Sequence, residues 1–279
     1  MSRTPLATRS ELPGARRVVV KVGSSSISGA NAGQIAPLVD ALAAAHARGT
    51  EVILVSSGAI ATGMPYLQLD ARPNDLATQQ AAAAVGQNVL IFRYQESLDR
   101  YGIVAGQVLL TAGDLENPTH RSNAQRAMDR LLGLRILPIV NENDTVATHE
   151  IRFGDNDRLA ALVSQLVEAD ALVLLSDVDA LYTRPPQEPG AVKITEVPAG
   201  DDLAGVTFGD IGAAGVGTGG AATKVSAARL AASTGTAVLV TSTAFVAEAL
   251  SGAEIGTWFA PTPVVRERTP TGSVALSFD

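Results

Sequence analysis

The sequence predicts an α/β protein in which a mainly parallel β-sheet is sandwiched between helices. Three observations carry that prediction. Short β-branched runs alternate with alanine-rich segments of helical period, the runs are continuously apolar as strands buried on both faces must be, and the intervening segments are long enough to act as crossovers. In order, Val18-Val19-Val20 reads as the first strand and 33–48 as the helix after it. Val52-Ile53-Leu54-Val55 is the second strand, followed by a helix near 75–100. Ile103-Val104 and a helix over 119–133 come next, then a strand from Ile136 to Val140 and a helix over 157–168. Ala171 to Leu175 and Ala237 to Val240 complete the strands, with a helix near 222–234 between them. Residues 1–15 read as a flexible arm. The stretch from Arg184 to Gly220, rich in proline, glycine and acids, reads as a hairpin or lid. The segment from Ala260 through Pro261, Pro263 and Pro270 reads as a linker or the stub of something longer.

Composition narrows the function classes. A chain of 279 residues, 46% apolar, can bury a sizeable core as one large domain or two small ones. A net charge of −7 with dispersed lysines and arginines argues against a nucleic-acid partner, which requires a concentrated basic face. There is no cysteine, so disulfide and thiolate chemistry are excluded, and His46, His120 and His149 lack metal-ligand spacing. No segment supplies a membrane span, and the N-terminus lacks the apolar core of a signal peptide. The expectation is a cytoplasmic protein with no membrane partner.

In open α/β sheets ligands bind beyond the carboxyl ends of the strands, and those positions are polar here. Lys21 to Ser26 follow the first strand and Ser56-Ser57-Gly58 the second. Asn141-Glu142-Asn143-Asp144 follows the 136–140 run, with Gly154-Asp155-Asn156-Asp157 a dozen residues on, and Ser176-Asp177 follows the 171–175 run. The most informative stretch is Gly217-Thr218-Gly219-Gly220-Ala221-Ala222-Thr223-Lys224. Glycines let backbone N–H groups approach an anion, the start of the following helix favours negative charge, and Lys224 adds a cation. It reads as a phosphate cradle. It is not a dinucleotide fingerprint, because no strand precedes Gly215, and not a Walker A loop, because Thr223 stands before the lysine and Val225 after it. Two candidate phosphate lysines, Lys21 and Lys224, a glycine cradle and acids able to position a lysine or hydrated Mg²⁺ suit phosphoryl transfer, where positioning and charge stabilisation do most of the work. Ser57-Gly58 also suits a helix cap, and Asp144 and Asp157 also suit ordinary loop and N-cap acids.

Lys21-Val-Gly-Ser, Val55-Ser-Ser-Gly-Ala-Ile60, Asn141-Glu-Asn-Asp-Thr-Val146, Gly154-Asp-Asn-Asp157, Leu174-Leu-Ser-Asp177 and Gly217-Thr-Gly-Gly-x-x-Thr-Lys224 resemble, in that order, the motifs of the glutamate 5-kinases, a branch of the amino acid kinase superfamily. The likeness runs from about residue 16 to 259. The Asn-Glu-Asn-Asp and Gly-Asp-Asn-Asp pair is particular to that branch. The resemblance implies one three-layer αβα domain over 16–259, with 260–279 a tail or linker stub. It implies transfer of a phosphoryl group from MgATP to the γ-carboxylate of L-glutamate, feedback inhibition by L-proline, and assembly into a homo-oligomer, a dimer or tetramer. It further implies Lys21, Lys224 and Asp157 as catalytic, with Asp157 holding both ammonium groups. Ser57, Asp144 and Asn156 match glutamate-binding positions, Asp144 taking the α-ammonium group. Lys21, Ser176, Asp177, Thr218, Gly219, Gly220, Ala221, Ala222, Thr223 and Lys224 match nucleotide contacts, with no dedicated metal ligand.

The chain departs from the pattern in three ways. Many glutamate 5-kinases continue into a PUA domain of RNA-binding type, which would need around eighty further residues; the expectation here is the single-domain form without a PUA domain, or a kinase domain cut from a longer chain. Ala221 stands where the family often has Met, and Ser25 extends the first-strand motif. Two rival readings are another amino acid kinase, such as an N-acetylglutamate kinase, and a catalytically silent nucleotide or amino-acid sensor.

Overall fold

Strand parity organises the molecule. A computed structural model describes residues 4–147, 156–204, 206 and 220–263. Its elements, in chain order, are β1 (Arg17–Lys21), α1 (Ile35–Ala47), β2 (Glu51–Val55), α2 (Ala59–Gly63), α3 (Leu76–Asp99), β3 (Ala105–Leu110), α4 (Ala112–Glu116), α5 (Pro118–Gly133), β4 (Leu137–Glu142), α6 (Asn156–Leu166), β5 (Ala171–Ser176), β6 (Leu181–Tyr182), β7 (Lys193–Ile194), β8 (Glu196–Val197), α7 (Ala221–Ala232), β9 (Ala237–Ser242), α8 (Val246–Leu250) and β10 (Thr257–Phe259). Successive side chains of a strand point to opposite faces. Val18 and Val20 of β1, Leu54 of β2 and Val173 of β5 therefore pack with Leu38 and Leu42 of α1, Leu90 and Tyr94 of α3, and Leu250 of α8. Val19, Ile53, Leu172 and Val240 pack instead with Met128 of α5, Leu159 and Val163 of α6, and Ala228 of α7. The result is a three-layer αβα sandwich.

Eight strands form the sheet in the order β3-β4-β2-β1-β5-β9-β10-β8. All pairings are parallel except β9 with β10. From β1 the chain passes to its neighbour β2, goes out to the edge at β3 and comes back to place β4 between β3 and β2, then crosses to the other side of β1 with β5 and β9, so the order reverses beside β1. Such a switch point leaves a crevice at the carboxyl ends of the strands, because the connecting loops diverge there. In register, Lys21 lies opposite Val55 on one side and Leu174 on the other.

The five main helices and the first, second, fourth, fifth and last of the expected strands lie where sequence reasoning places them. Four differences have physical causes. The third strand starts at Ala105 rather than covering Ile103-Val104, because β3 is a half-exposed edge strand without a continuous apolar run. The expected hairpin begins earlier, with Leu181 opposite Ile194 in a two-stranded antiparallel pair, and its continuation β8 then joins the edge of the main sheet. β10 was hidden by its length of three residues, although Trp258 and Phe259 are fully buried. Residues 9–14, expected within a loose arm, form a 3-10 helix with Leu12 buried. Arg9 pins it by donating to the carbonyls of Ile255 and Thr195, each at 2.7 Å. Gly215 to Gly219 and most of the expected tail lie outside the described residues.

Helices α2 and α3 cross with no side-chain layer between them. A Cβ on Gly63 would sit 1.9 Å from the Ala82 carbonyl oxygen, and one on Gly86 would sit 1.7 Å from that of Ala59. Backbone cannot yield as a side chain can. Gly86→Ala is therefore expected to lower unfolding free energy by about 3 kcal/mol, the upper range for overpacking, measured by urea denaturation. An unchanged midpoint would refute the tight crossing.

Candidate active site

Lys21 is the last residue of β1 and shares the parity of Val19, so it faces the layer containing α6 and α7. Asp157 lies in the first turn of α6 and Lys224 in the first turn of α7, whose N-cap is Gly220. The three meet there. Lys21 Nζ stands 2.5 Å from Asp157 Oδ1 and Lys224 Nζ donates to Asp157 Oδ2 at 3.0 Å. Asp157 is 0% exposed, and both lysines are buried. Burial opposes the aspartate's charge. The Lys21 and Lys224 ammonium groups outweigh that penalty and hold the carboxyl below its ordinary value. The Thr223 hydroxyl donates to Gly220 O at 2.9 Å and lies 3.4 Å from Asp157 Oδ2.

Above this triad, at the switch point, lies a cleft of about 180 Å³. Both lysines line it. On the β2 and β4 side its wall includes Ser57, Gly58, Asn141, Asp144 and Asn156. Asn156 Nδ2 donates to Asn141 Oδ1 at 2.8 Å and to Ser56 O at 2.7 Å, while Asn141 Oδ1 also accepts from Glu142 N at 2.9 Å. These bonds join the ends of β2, β4 and α6 and set the Asn156 amide in one orientation. Ser57 does not cap α2. That position belongs to Gly58, in the left-handed region at φ 89°, and no side chain caps the helix. A Cβ on Gly58 would come within 3.3 Å of Ser24 Cβ, so glycine there also lets the loops after β1 and β2 approach. Asp144 lines the cleft half-exposed.

On the β5 side the wall includes Ser176 and Asp177. The Asp177 carboxylate accepts from Ser25 Oγ at 3.0 Å and from Ser26 Oγ at 3.2 Å. It thus ties the loop after β1 to the end of β5, a positioning contact that the sequence did not disclose. Of the expected nucleotide contacts, Gly220, Ala221, Ala222, Thr223 and Lys224 lie at the start of α7. Thr218 and Gly219 lie outside the described residues, as do Gly154 and Asp155.

Sequence reasoning left Asn141 without a role, and missed the support behind it. Asn141 lines a second space of about 10 Å³, together with Ser56, Gln87 and Tyr94. Ser56 Oγ and Tyr94 OH are hydrogen-bonded at 2.9 Å. The Asn141 Nδ2 and Gln87 Nε2 atoms are buried and have no hydrogen-bond partner among the described residues. A space of that size admits about one water, the usual partner of such donors. The only signal in the sequence was the inclusion of Asn141 in the Asn141-Glu-Asn-Asp144 motif. No group of three His, Cys, Asp or Glu suited to a metal occurs among the described residues, and no described helix is long and apolar enough to cross a membrane.

A doubly wound αβα sandwich with two buried lysines sharing one aspartate, below a polar cleft, defines a class. The chain belongs to the amino acid kinase family, whose profile matches residues 16–242. Within it the chain belongs to the glutamate 5-kinases. It is 79% identical over 255 residues to the glutamate 5-kinase of Clavibacter sepedonicus, covering 91% of this chain and 98% of the relative. It is 76% identical over 253 residues to that of Leifsonia xyli, covering 91% and 94%. Among solved structures, carbamate kinase from Giardia lamblia bound to AMP-PNP shares the fold at a TM-score of 0.66 and 16% identity, covering 90% of this chain and 100% of that one.

Replacing Asp157 leaves two buried ammonium groups without their shared partner. Asp157→Asn is expected to cost about 3–5 kcal/mol of stability at neutral pH. Because the carboxyl is held below its usual value, its contribution is complete above about pH 4, where an unfolded aspartate is ionised, and fades as pH falls through the lower folded value. Denaturant midpoints of both proteins across pH 2.5–7 check this. The gap should close in acid, and equal midpoints at pH 7 would contradict it.

Proposed function

We propose that this chain transfers the γ-phosphoryl group of ATP to the γ-carboxylate of L-glutamate, giving L-glutamyl 5-phosphate and ADP. The observation that carries the reading is the pair of lysines held by Asp157 at the boundary between the two halves of the cleft. One half, over β2 and β4, offers an ammonium partner and hydrogen-bonding groups in Asp144, Asn156 and Ser57. The other, over β5 and the start of α7, offers backbone and hydroxyl groups suited to a nucleotide.

The acceptor carboxylate, with a pKa near 4, is already ionised at neutral pH, so no general base is required. One of its oxygens attacks the γ-phosphorus in line, the bond to the β–γ bridging oxygen breaks, and that electron pair leaves with ADP. The obstacle is repulsion between two anions. Lys21 and Lys224 reduce it by flanking the transferring group, and Asp157 prevents the two ammonium groups from moving apart. Asp157 is committed to the lysines. Glu142 and Asp177 also bring carboxylates to the cleft wall, and would suit outer contacts to a Mg²⁺ ion held mainly by phosphates and water. Bound with the nucleotide, that ion supplies further neutralisation of phosphate charge.

Our reading places the reaction in the cytoplasm, in a homo-oligomer, with L-proline competing for the acceptor half. Hydroxylamine trapping of acyl phosphate tests it, with MgATP and either L-glutamate or N-acetyl-L-glutamate, each with and without L-proline. Hydroxamate from glutamate alone is expected, reduced by proline. Product from N-acetylglutamate instead would favour the rival kinase, and ATP binding without any product would favour a sensor. Asp144→Ala should raise KM for glutamate at least tenfold, the effect of losing about 1.4 kcal/mol, with little change for ATP. Lys224→Ala should lower kcat by roughly 100-fold or more, as loss of a transition-state donor does. Equal loss of both substrates in the first variant, or unaltered turnover in the second, would remove the corresponding assignment.

A further inference from the structure

Arg72 also lines the cleft, and neither the sequence motifs nor the catalytic reading uses it. It lies on the segment that leads from α2 to α3. That segment belongs to the acceptor side of the molecule. It follows the end of β2, and Gln80 in the first turns of α3 donates to Ala147 O, three residues beyond Asp144. Of the described residues lining the cleft, three are cations: Lys21, Lys224 and Arg72. The two lysines are buried and bound to Asp157. Arg72 is exposed, and makes no hydrogen bond or ion pair among the described residues.

The charges of the acceptor leave one requirement unmet. Glutamate brings a γ-carboxylate, which belongs beside the lysines, an α-ammonium group, for which Asp144 is the counter-charge, and an α-carboxylate. An anion drawn into the cleft beside Asp144 needs a cation, and the lysines are occupied at the reacting end. A guanidinium presents two parallel donors that fit a carboxylate bidentately. We propose that Arg72 binds the α-carboxylate of the acceptor and is a specificity-determining residue, selecting α-amino acids over γ-carboxylates that lack the α-carboxylate. This assignment rests on the glutamate reading above. Asp144 and Arg72 then read the two charges on the α-carbon, while the lysines read the distant end.

The test pairs variants with two acceptors, L-glutamate and L-isoglutamine, which keeps the γ-carboxylate and α-ammonium group but carries an α-amide. Product is measured as hydroxamate. The unmodified enzyme should prefer glutamate by roughly 10- to 100-fold in kcat/KM, the range of one charge-assisted contact. Arg72→Gln should lower kcat/KM for glutamate to about the isoglutamine level, leave isoglutamine nearly unaffected, and leave KM for ATP unchanged. Arg72→Lys should restore part of the preference. An active Arg72→Gln enzyme that still prefers glutamate overturns the assignment, as does a rise in KM for ATP with the preference intact, which would put Arg72 on the phosphates. Both results leave the glutamate kinase reading standing. Absence of product from glutamate in the unmodified enzyme removes that reading, and this one with it.

Discussion

One buried carboxylate shared by two buried ammonium groups is the constraint on which the rest of the structure depends. Asp157 is an expensive residue to bury alone, as are Lys21 and Lys224, and each is tolerable because the others are present. The triad also joins three parts of the chain far apart in sequence: the end of the central strand β1, the start of α6 and the start of α7. Its net charge is one positive unit below a polar cleft. That surplus suits a site that must bring two anions together.

The support extends outward in two directions. Asn141 holds Asn156 against the end of β2, and Ser56, Tyr94 and Gln87 stand behind Asn141. On the other side Asp177 holds the serines after β1 against the end of β5. Both arrangements tie neighbouring strand ends together, so hydrogen bonds between loops help to hold the shape of the cleft, beside the buried apolar residues Val22 and Ile27 of the loop after β1 and Ile60 at the start of α2. Polar side chains therefore serve two purposes here. Some face the cleft with groups available to a ligand, as Ser57 does, and others are spent in fixing their neighbours.

Much of this was legible in the sequence, for definite reasons. Strands buried on both faces must be continuously apolar, and Val18 to Val20 or Ala171 to Leu175 can hardly read otherwise. The triad was legible because Lys21, Asp157 and Lys224 sit in short motifs whose order is distinctive. What escaped depends on tertiary partners. The half-exposed edge strand β3 carries no apolar run, and β8 and β10 are too short to show a period and exist through pairing with each other and with β9. Arg9 to Gly14 carries the proline, glycine and charge of a loose arm, and burial of Leu12 together with the bonds from Arg9 to the carbonyls of Thr195 and Ile255 converts it into a packed turn. Asn141, Gln87 and Arg72 are unremarkable as letters. Their meaning comes from what the fold sets beside them.

The crossing of α2 and α3 limits how this cleft can be remodelled. Gly63 and Gly86 bring two backbones into contact directly behind the stretch from Ser57 to Ala61, so that wall is a rigid jaw without depth to carve. A wider or differently shaped acceptor has to be accommodated elsewhere in the acceptor half, along the loops bearing Asp144 and Arg72, where side chains are half-exposed or exposed and can be exchanged without disturbing a helix crossing. Selection for new acceptors, in nature or in the laboratory, should accumulate its changes there.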